Sequence, residues 1–143
     1  MKYLALTAKQ TASLAKRLAK SWHGGEIIAL SGELGAGKTT FTQAVAKYLG
    51  ITQPVTSPTF TIWQQYDCQH PTIKKLIHID AYRLASGADL IALGIDDWAG
   101  RPDCLIIIEW PEKIADWLPI TAWLINFQHQ PTGRLINWQL PPK

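Results

Sequence analysis

The fold is decided by the stretch Gly32-Glu33-Leu34-Gly35-Ala36-Gly37-Lys38-Thr39. It matches in full the pattern G-x-x-x-x-G-K-[ST], in which a glycine-rich loop presents backbone N–H groups to phosphate oxygens. Its glycines predict a backbone with positive φ angles, which side chains disfavour. We expect Lys38 to reach the β- and γ-phosphates and the Thr39 hydroxyl to ligate Mg²⁺. The predicted phosphate contacts are Glu33, Leu34, Gly35, Ala36, Gly37, Lys38, Thr39 and Thr40.

The sequence on both sides of this loop supports the prediction. Residues 26–31 form a short apolar run that is typical of a buried strand. After the loop, apolar residues recur at helical spacing and end at Gly50, which favours a helix C-terminus there. A strand–loop–helix arrangement is the setting that phosphate binding needs. The alternative is a glycine turn in front of an ordinary helix.

Composition limits the other classes of protein. The chain has 143 residues, of which 47% are hydrophobic and 17% charged, so we predict one domain spanning residues 1–143. The longest apolar run, residues 104–108, is too short to cross a bilayer, and no signal-peptide core is evident at the N-terminus. We therefore expect a cytoplasmic protein. The spacing of Cys68 and Cys104 supports neither a zinc site nor a disulfide.

The remaining pattern predicts an α/β fold. A capping-box sequence at Thr7 opens an N-terminal helix, and a second such signal at Ser86 opens a short one. Strands are expected at residues 59–66, 75–80 and 104–109, and a C-terminal hairpin at residues 121–127 and 134–140. The predicted fold is a P-loop NTPase-like three-layer sandwich. Its central sheet is mostly parallel with an antiparallel C-terminal edge, and helices lie on both faces.

Two predicted strands end on an acid, Asp80 and Glu109. Ligands of open α/β sheets bind outside the carboxyl ends of the strands, so both acids are candidates for holding Mg²⁺ or positioning the attacking water. The residue pattern does not assign the two roles. Either acid alone could instead cap a helix or pair with Arg83. Residues 54–60 have the composition of a switch segment that senses phosphate, or of a rigid turn between prolines.

Basic residues gather on the first predicted helix, and the chain has a formal net charge of +3. A solvated helix face explains such a group, and a surface that faces tRNA or an acidic partner is the alternative. The residues concerned are Lys9, Lys16, Arg17 and Lys20.

Four motifs in order resemble the signature of the TsaE (YjeE) ATPases: residues 32–40, 55–60 (Val-Thr-Ser-Pro-Thr-Phe), 78–84 (His-Ile-Asp-Ala-Tyr-Arg-Leu) and 108–113 (Ile-Glu-Trp-Pro-Glu-Lys). The resemblance spans nearly the whole chain. It implies a weak ATPase that uses ATP and Mg²⁺ in making N6-threonylcarbamoyladenosine on tRNA. The implied partners are the transferase TsaD and its dimerisation partner TsaB, with tRNA contacted indirectly.

The resemblance also implies roles for particular residues. Lys38 and Thr39 match the phosphate and metal site, and Asp80 and Glu109 match two essential acids; the implied catalytic residues are Asp80, Glu109 and Lys38, and the implied metal ligands are Thr39, Glu109 and Asp80. The neighbourhoods of Thr11 and Arg134 would help to form the adenine pocket. Glu33 stands where aspartate is also familiar, a mild departure.

Two other functions remain open at the level of sequence. One is a small-molecule phosphotransferase, which needs an arginine-bearing lid over the transferred group. The chain has only four arginines and no arginine-rich insertion, which counts against it. The other is a nucleotide-gated switch that binds ATP without significant turnover.

Overall fold

The computed structural model describes residues 1–143 and contains one seven-stranded sheet. Its strands are β1 (Lys2–Ala5), β2 (Ile27–Gly32), β3 (Trp63–Asp67), β4 (Lys75–Asp80), β5 (Cys104–Glu109), β6 (Trp123–Gln130) and β7 (Gly133–Gln139). The helices are α1 (Ala8–Ala19), α2 (Lys38–Tyr48) and α3 (Gly87–Ala92), with short 3-10 helices at Ile95–Asp97 and Pro111–Ile114. None of the helices combines the length and the apolarity that a membrane crossing requires.

The strands lie in the order β1-β7-β6-β2-β5-β4-β3 across the sheet. The four central strands are parallel: Ile28 of β2 lies beside Ile107 of β5 on one side and Trp123 of β6 on the other. At one edge β6, β7 and β1 pair antiparallel, and at the other edge β3 pairs antiparallel with β4. The α/β sheet with an antiparallel C-terminal edge is therefore confirmed. The second antiparallel edge, at β3, was not predicted.

The sheet separates two hydrophobic clusters because successive strand residues point to opposite faces. In β5, Leu105 and Ile107 belong to a cluster of 23 buried residues beneath α1 and α2. Ile106 and Ile108 belong to a cluster of 12 buried residues beneath α3 and the two 3-10 helices. Burying one such side chain contributes about 1.5–3 kcal/mol. The burial of many such side chains therefore stabilises the packing of both helical layers against the sheet. The result is the predicted three-layer arrangement.

The first helix begins as its sequence predicts, with one difference. The side chain of Thr7 accepts a hydrogen bond from the backbone N–H of Gln10, at 3.2 Å. In a capping box the Gln10 side chain would accept from the N–H of Thr7. Instead it accepts from the N–H of Leu6, at 2.6 Å, so the box is displaced by one residue on that side. Leu14 and Leu18 of this helix are buried against the sheet.

Two local differences from the predicted strands have identifiable causes. Strand β3 begins at Trp63 and not at residue 59, because residues 59–61 form a turn and Ile62 has a φ of 67°. A positive φ interrupts an extended chain. Strand β1 was not predicted, because its sequence, Lys-Tyr-Leu-Ala, does not alternate between polar and apolar residues. This strand exists through its pairing with β7.

Candidate functional site

The glycine-rich loop connects the end of β2 to the start of α2, at the carboxyl edge of the parallel strands. Gly35 has a φ of 76° and Gly37 a φ of 107°, which confirms the predicted left-handed backbone. Gly37 caps α2 without a side-chain hydrogen bond, so the first N–H groups of the helix have no capping side chain. These groups and the positive end of the helix dipole make the loop receptive to an anion.

Lys38 is the first residue of α2, and only 5% of its surface is exposed. Its Nζ donates a hydrogen bond to the carbonyl oxygen of Gly32, at 2.6 Å, and lies 4.1 Å from the centre of the Trp110 ring. Burial lowers the pKa of the ammonium below its usual value, and the carboxylates of Glu109, Glu112 and Asp80 oppose that shift. A positive charge is therefore kept at the loop with little water around it.

The two acids at the strand ends lie opposite each other. Asp80 ends β4 and Glu109 ends β5, and the parallel register pairs these two residues. Both are buried, with 6% and 4% of their surface exposed. Glu109 lies two and four residues after Ile107 and Leu105 on β5, and Asp80 lies four after Leu76 on β4. These three apolar residues belong to the cluster beneath α1 and α2, so both carboxylates face the side of the sheet that carries the loop helix.

Asp80 is held by hydrogen bonds to both of its oxygens. Oδ1 accepts from the backbone N–H of Tyr82, at 3.0 Å. Oδ2 accepts from the Thr59 hydroxyl, at 3.2 Å, and the Ser57 hydroxyl lies 3.5 Å away. The segment of residues 54–60, considered above as a switch or a rigid turn, therefore brings two hydroxyl groups to this carboxylate.

Glu109 has a different partner, which the sequence reasoning missed. His78 Nε2 lies 3.0 Å from Glu109 Oε2, and the two side chains are 1% and 5% exposed. His78 stands two residues before Asp80 on β4, so both point to the same face of the sheet. A histidine inside an otherwise apolar strand, in phase with the acid at its end, is the signal that could have identified it.

A cavity of about 270 Å³ lies between the loop, the two strand ends and the segment of residues 54–60. It brings together most of the residues predicted to bind phosphate and metal. Glu33 and Ala36 do not line it: Glu33 is exposed beside β6 and Ala36 is buried. The lining residues are Leu34, Gly35, Gly37, Lys38, Thr39, Thr40, Ser57, Thr59, Asp80, Glu109 and Trp110.

A second cavity, of about 190 Å³, adjoins the first and shares Gly35, Gly37 and Thr40 with it. Thr11 of α1 and Arg134 of β7 both line it, although they stand far apart in the sequence. Arg134 also donates a hydrogen bond to the carbonyl oxygen of Gly35, at 3.3 Å. The two neighbourhoods suggested for an adenine pocket therefore meet beside the phosphate loop.

Comparisons with known proteins point to one family. The family model described as "Threonylcarbamoyl adenosine biosynthesis protein TsaE" matches residues 5–136. The tRNA threonylcarbamoyladenosine biosynthesis protein TsaE of Streptomyces coelicolor is 43% identical over 102 residues, which are 69% of this chain and 66% of that relative. The protein of the same name from Bacillus subtilis is 38% identical over 120 residues, which are 83% of this chain and 72% of that relative.

Among solved structures, the crystal structure of Bacillus subtilis YdiB matches with a TM-score of 0.81 and 30% sequence identity. The match covers 99% of this chain and 86% of that one. It supports the P-loop NTPase-like fold predicted from the glycine-rich loop. The family match over residues 5–136, together with these relatives, shows that the chain belongs to the TsaE family.

Proposed function

We propose that the protein binds ATP and hydrolyses it slowly, at a rate that partners raise, in the biosynthesis of threonylcarbamoyladenosine on tRNA. One observation carries the proposal: Lys38, Asp80 and Glu109, from three separate elements, line one cavity at the carboxyl edge of the sheet. The relatives' names assign those proteins to tRNA threonylcarbamoyladenosine biosynthesis, which supports the same pathway for this chain.

The loop is suited to the phosphates of a nucleotide. Backbone N–H groups at the start of α2 would bind phosphate oxygens, and the left-handed glycines let the chain approach them closely. Lys38 would exchange its hydrogen bond with the Gly32 carbonyl for a phosphate oxygen. Because this ammonium is already largely desolvated, binding a phosphate strips little further water from it.

The residues opposite the loop fit a magnesium ion. Mg²⁺ prefers oxygen ligands and is typically bound by one or two carboxylates together with substrate phosphates. The Thr39 hydroxyl and the carboxylates of Asp80 and Glu109 line the same cavity and are of this type. When bound, the ion would neutralise charge on the phosphates.

The hydrogen bonds suggest how the two acids divide the work. Both oxygens of Asp80 accept hydrogen bonds, from Tyr82 and Thr59. Glu109 accepts one hydrogen bond, on Oε2, and its Oε1 accepts none from the protein. We assign metal binding to Glu109 with Thr39, and orientation of the attacking water to Asp80 with the Thr59 hydroxyl.

The second cavity is the site that we propose for the nucleoside. It is continuous with the loop through Gly35 and Gly37, and Thr11 and Arg134 lie at its walls. The partners in the proposed function are TsaD and TsaB, which would bring tRNA to the complex, and the compartment is the cytoplasm.

A small-molecule phosphotransferase is not favoured. Such an enzyme needs cations that cover the transferred group. Lys38 is the one cationic residue among those that line the first cavity. Arg134 lines the second cavity, which neither Asp80 nor Glu109 lines.

The test is Mg-ATP hydrolysis by the protein alone and with TsaD, TsaB and tRNA. We expect a slow basal rate that rises on adding the complex, and a Glu109→Ala variant that loses the stimulated rate while still binding ATP. Asp97→Ala is the control, because Asp97 is an exposed acid on the 3-10 helix Ile95–Asp97 and lines neither cavity.

The other outcomes are distinguishable. A rate that is indifferent to the complex would contradict the partner-stimulated ATPase. If the complex modifies tRNA equally well with wild-type and Glu109→Ala protein, the protein acts as a nucleotide-gated switch and hydrolysis is not needed. Phosphate transfer from ATP to an added small molecule would support the phosphotransferase function instead.

A further inference from the structure

His78 is a buried titratable residue that the proposed function does not use. It lies on β4 between Ile77 and Ile79. These two isoleucines belong to the cluster beneath α3, so His78 points to the opposite face, with Asp80. A polar ring at such a place costs free energy unless a hydrogen bond compensates it.

That hydrogen bond is the one to Glu109. His78 Nε2 and Glu109 Oε2 are 3.0 Å apart, and neither side chain makes another hydrogen bond within the protein. An ionised carboxylate only accepts, so Nε2 carries the hydrogen. Nδ1 is buried without a protein partner, so the ring is held through Nε2 alone.

The contact constrains Glu109 at the point where its position matters. A glutamate side chain has several rotatable bonds, and losing that freedom costs free energy each time a ligand binds. Here Oε2 is held by the imidazole, while Oε1 has no hydrogen bond and the residue lines the cavity beside Thr39. The carboxylate is therefore oriented before any ligand arrives.

We infer that His78 is a positioning residue that orients the Glu109 carboxylate toward the magnesium–nucleotide site. The inference rests on the proposed role of Glu109 in that site. His78 would not bind the metal itself; it would hold Glu109 in place, as a hydrogen-bond partner commonly fixes the ligand of a metal. A histidine that served only the core would affect stability and leave magnesium dependence unchanged.

Two variants separate the hydrogen bond from the volume of the ring. In His78→Gln the side-chain amide nitrogen can occupy the place of Nε2 and still donate to Glu109. In His78→Asn the side chain is one methylene shorter and the donor does not reach. The control is His70→Asn: His70 packs against Tyr48, near the end of α2 that is remote from the loop, and lines neither cavity.

The measurement is the dissociation constant of ATP by calorimetry, with Mg²⁺ and with EDTA. We expect His78→Asn to reduce the gain in affinity that Mg²⁺ provides by about tenfold, the lower end of the usual effect of removing such a partner. Affinity in EDTA should stay at the wild-type value, which also shows that the variant is folded. His78→Gln and His70→Asn should keep the full gain from Mg²⁺.

A second readout uses the metal-free, nucleotide-free protein. Nitrogen-15 NMR at one fixed pH should show the His78 ring protonated on Nε2, with the signals assigned by their loss in His78→Gln. Glu109→Ala should shift them. This measurement can overturn the inference even where His78→Asn does not fold.

A ring protonated on Nδ1 alone, or a full magnesium gain in folded His78→Asn, would overturn the inference while Glu109 keeps its role. If the wild type shows no magnesium gain, or Glu109→Ala retains it, the proposed role of Glu109 fails and this inference fails with it.

Discussion

Lys38 and Trp110 are in direct contact: the ammonium lies 4.1 Å from the centre of the indole ring, in the geometry of a cation–π pair. Trp110 directly follows Glu109, and its φ of 58° lies in the left-handed region that side chains rarely adopt. Tyr82 packs against the same indole, with the ring centres 5.0 Å apart. Trp110, which follows the acid at the end of β5, thus also positions the Lys38 ammonium.

Replacing Trp110 tests this contact. Trp110→Asn should tolerate the left-handed backbone but lacks the ring, so we expect ATP to bind about fivefold more weakly, from the loss of about 1 kcal/mol of cation–π interaction. Trp110→Phe keeps an aromatic ring beside the ammonium, so it should bind ATP with an affinity within about twofold of the wild type. Calorimetric titration with Mg-ATP measures both. Equal affinities for the two variants would show that the ring does not place Lys38.

The buried ammonium of Lys38 should make the ligand-free protein less stable than it would be without the charge. We expect Lys38→Met to raise the melting temperature in the absence of nucleotide and to weaken ATP binding severely, because the phosphates lose their cation. Thermal unfolding and titration are the measurements. Lys47→Met is the control, because Lys47 is an exposed lysine on the same helix.

The same residue predicts the sign of a pH effect. The pKa of Lys38 is lower in the folded protein than its ordinary value of 10.5, so the unfolded chain binds more protons between the two values. The Lys38 contribution to stability therefore rises with pH through that window, and below it the full penalty applies. Lys38→Met should reduce this rise in a series of unfolding measurements. If Lys38→Met and the wild type show the same pH dependence of stability, burial does not penalise the Lys38 charge.

Thr59 should matter through its hydroxyl. Thr59→Val keeps the shape but removes the donor to Asp80 Oδ2, and a hydrogen bond to a charged group contributes about 1.5–3 kcal/mol. If Asp80 orients the attacking water, the partner-stimulated rate of hydrolysis should fall about tenfold or more, with ATP affinity unchanged. Thr59→Ser keeps the hydroxyl and should retain most of the rate. A Thr59→Val protein that hydrolyses ATP at the wild-type rate would contradict this role for the hydroxyl.

Arg134 should affect the nucleoside part of the ligand more than the phosphates. We expect Arg134→Gln to weaken the binding of ATP several-fold, in line with losing about 1 kcal/mol of contact, and to leave the binding of inorganic tripolyphosphate unchanged. Competition titrations of the two ligands make the comparison. Arg17→Gln is the matched control, since Arg17 is exposed on α1 and packs on Tyr3. If Arg134→Gln loses affinity for ATP and tripolyphosphate equally, Arg134 contacts the phosphates and not the nucleoside.

Much of the architecture could be predicted because its signals are local. β4 and β5 have the predicted bounds, Lys75–Asp80 and Cys104–Glu109, since each is an apolar run that ends on an acid. Strand β1 could not be predicted in the same way, because its four residues do not alternate between polar and apolar types and β7 supplies its hydrogen bonds. The start of β3 depends on the left-handed Ile62, for which the sequence has no signal.

The sequence by itself determined the phosphate loop, because the positions of its glycines, lysine and threonine set the local backbone and need no distant partner. Only the tertiary structure decided which side chains meet there. His78 reaches Glu109 across 31 residues through the register of two parallel strands, and Thr11 of α1 and Arg134 of β7 come to line one cavity. Such pairings depend on register and layer contacts that are non-local, so a linear pattern of residue types does not contain them.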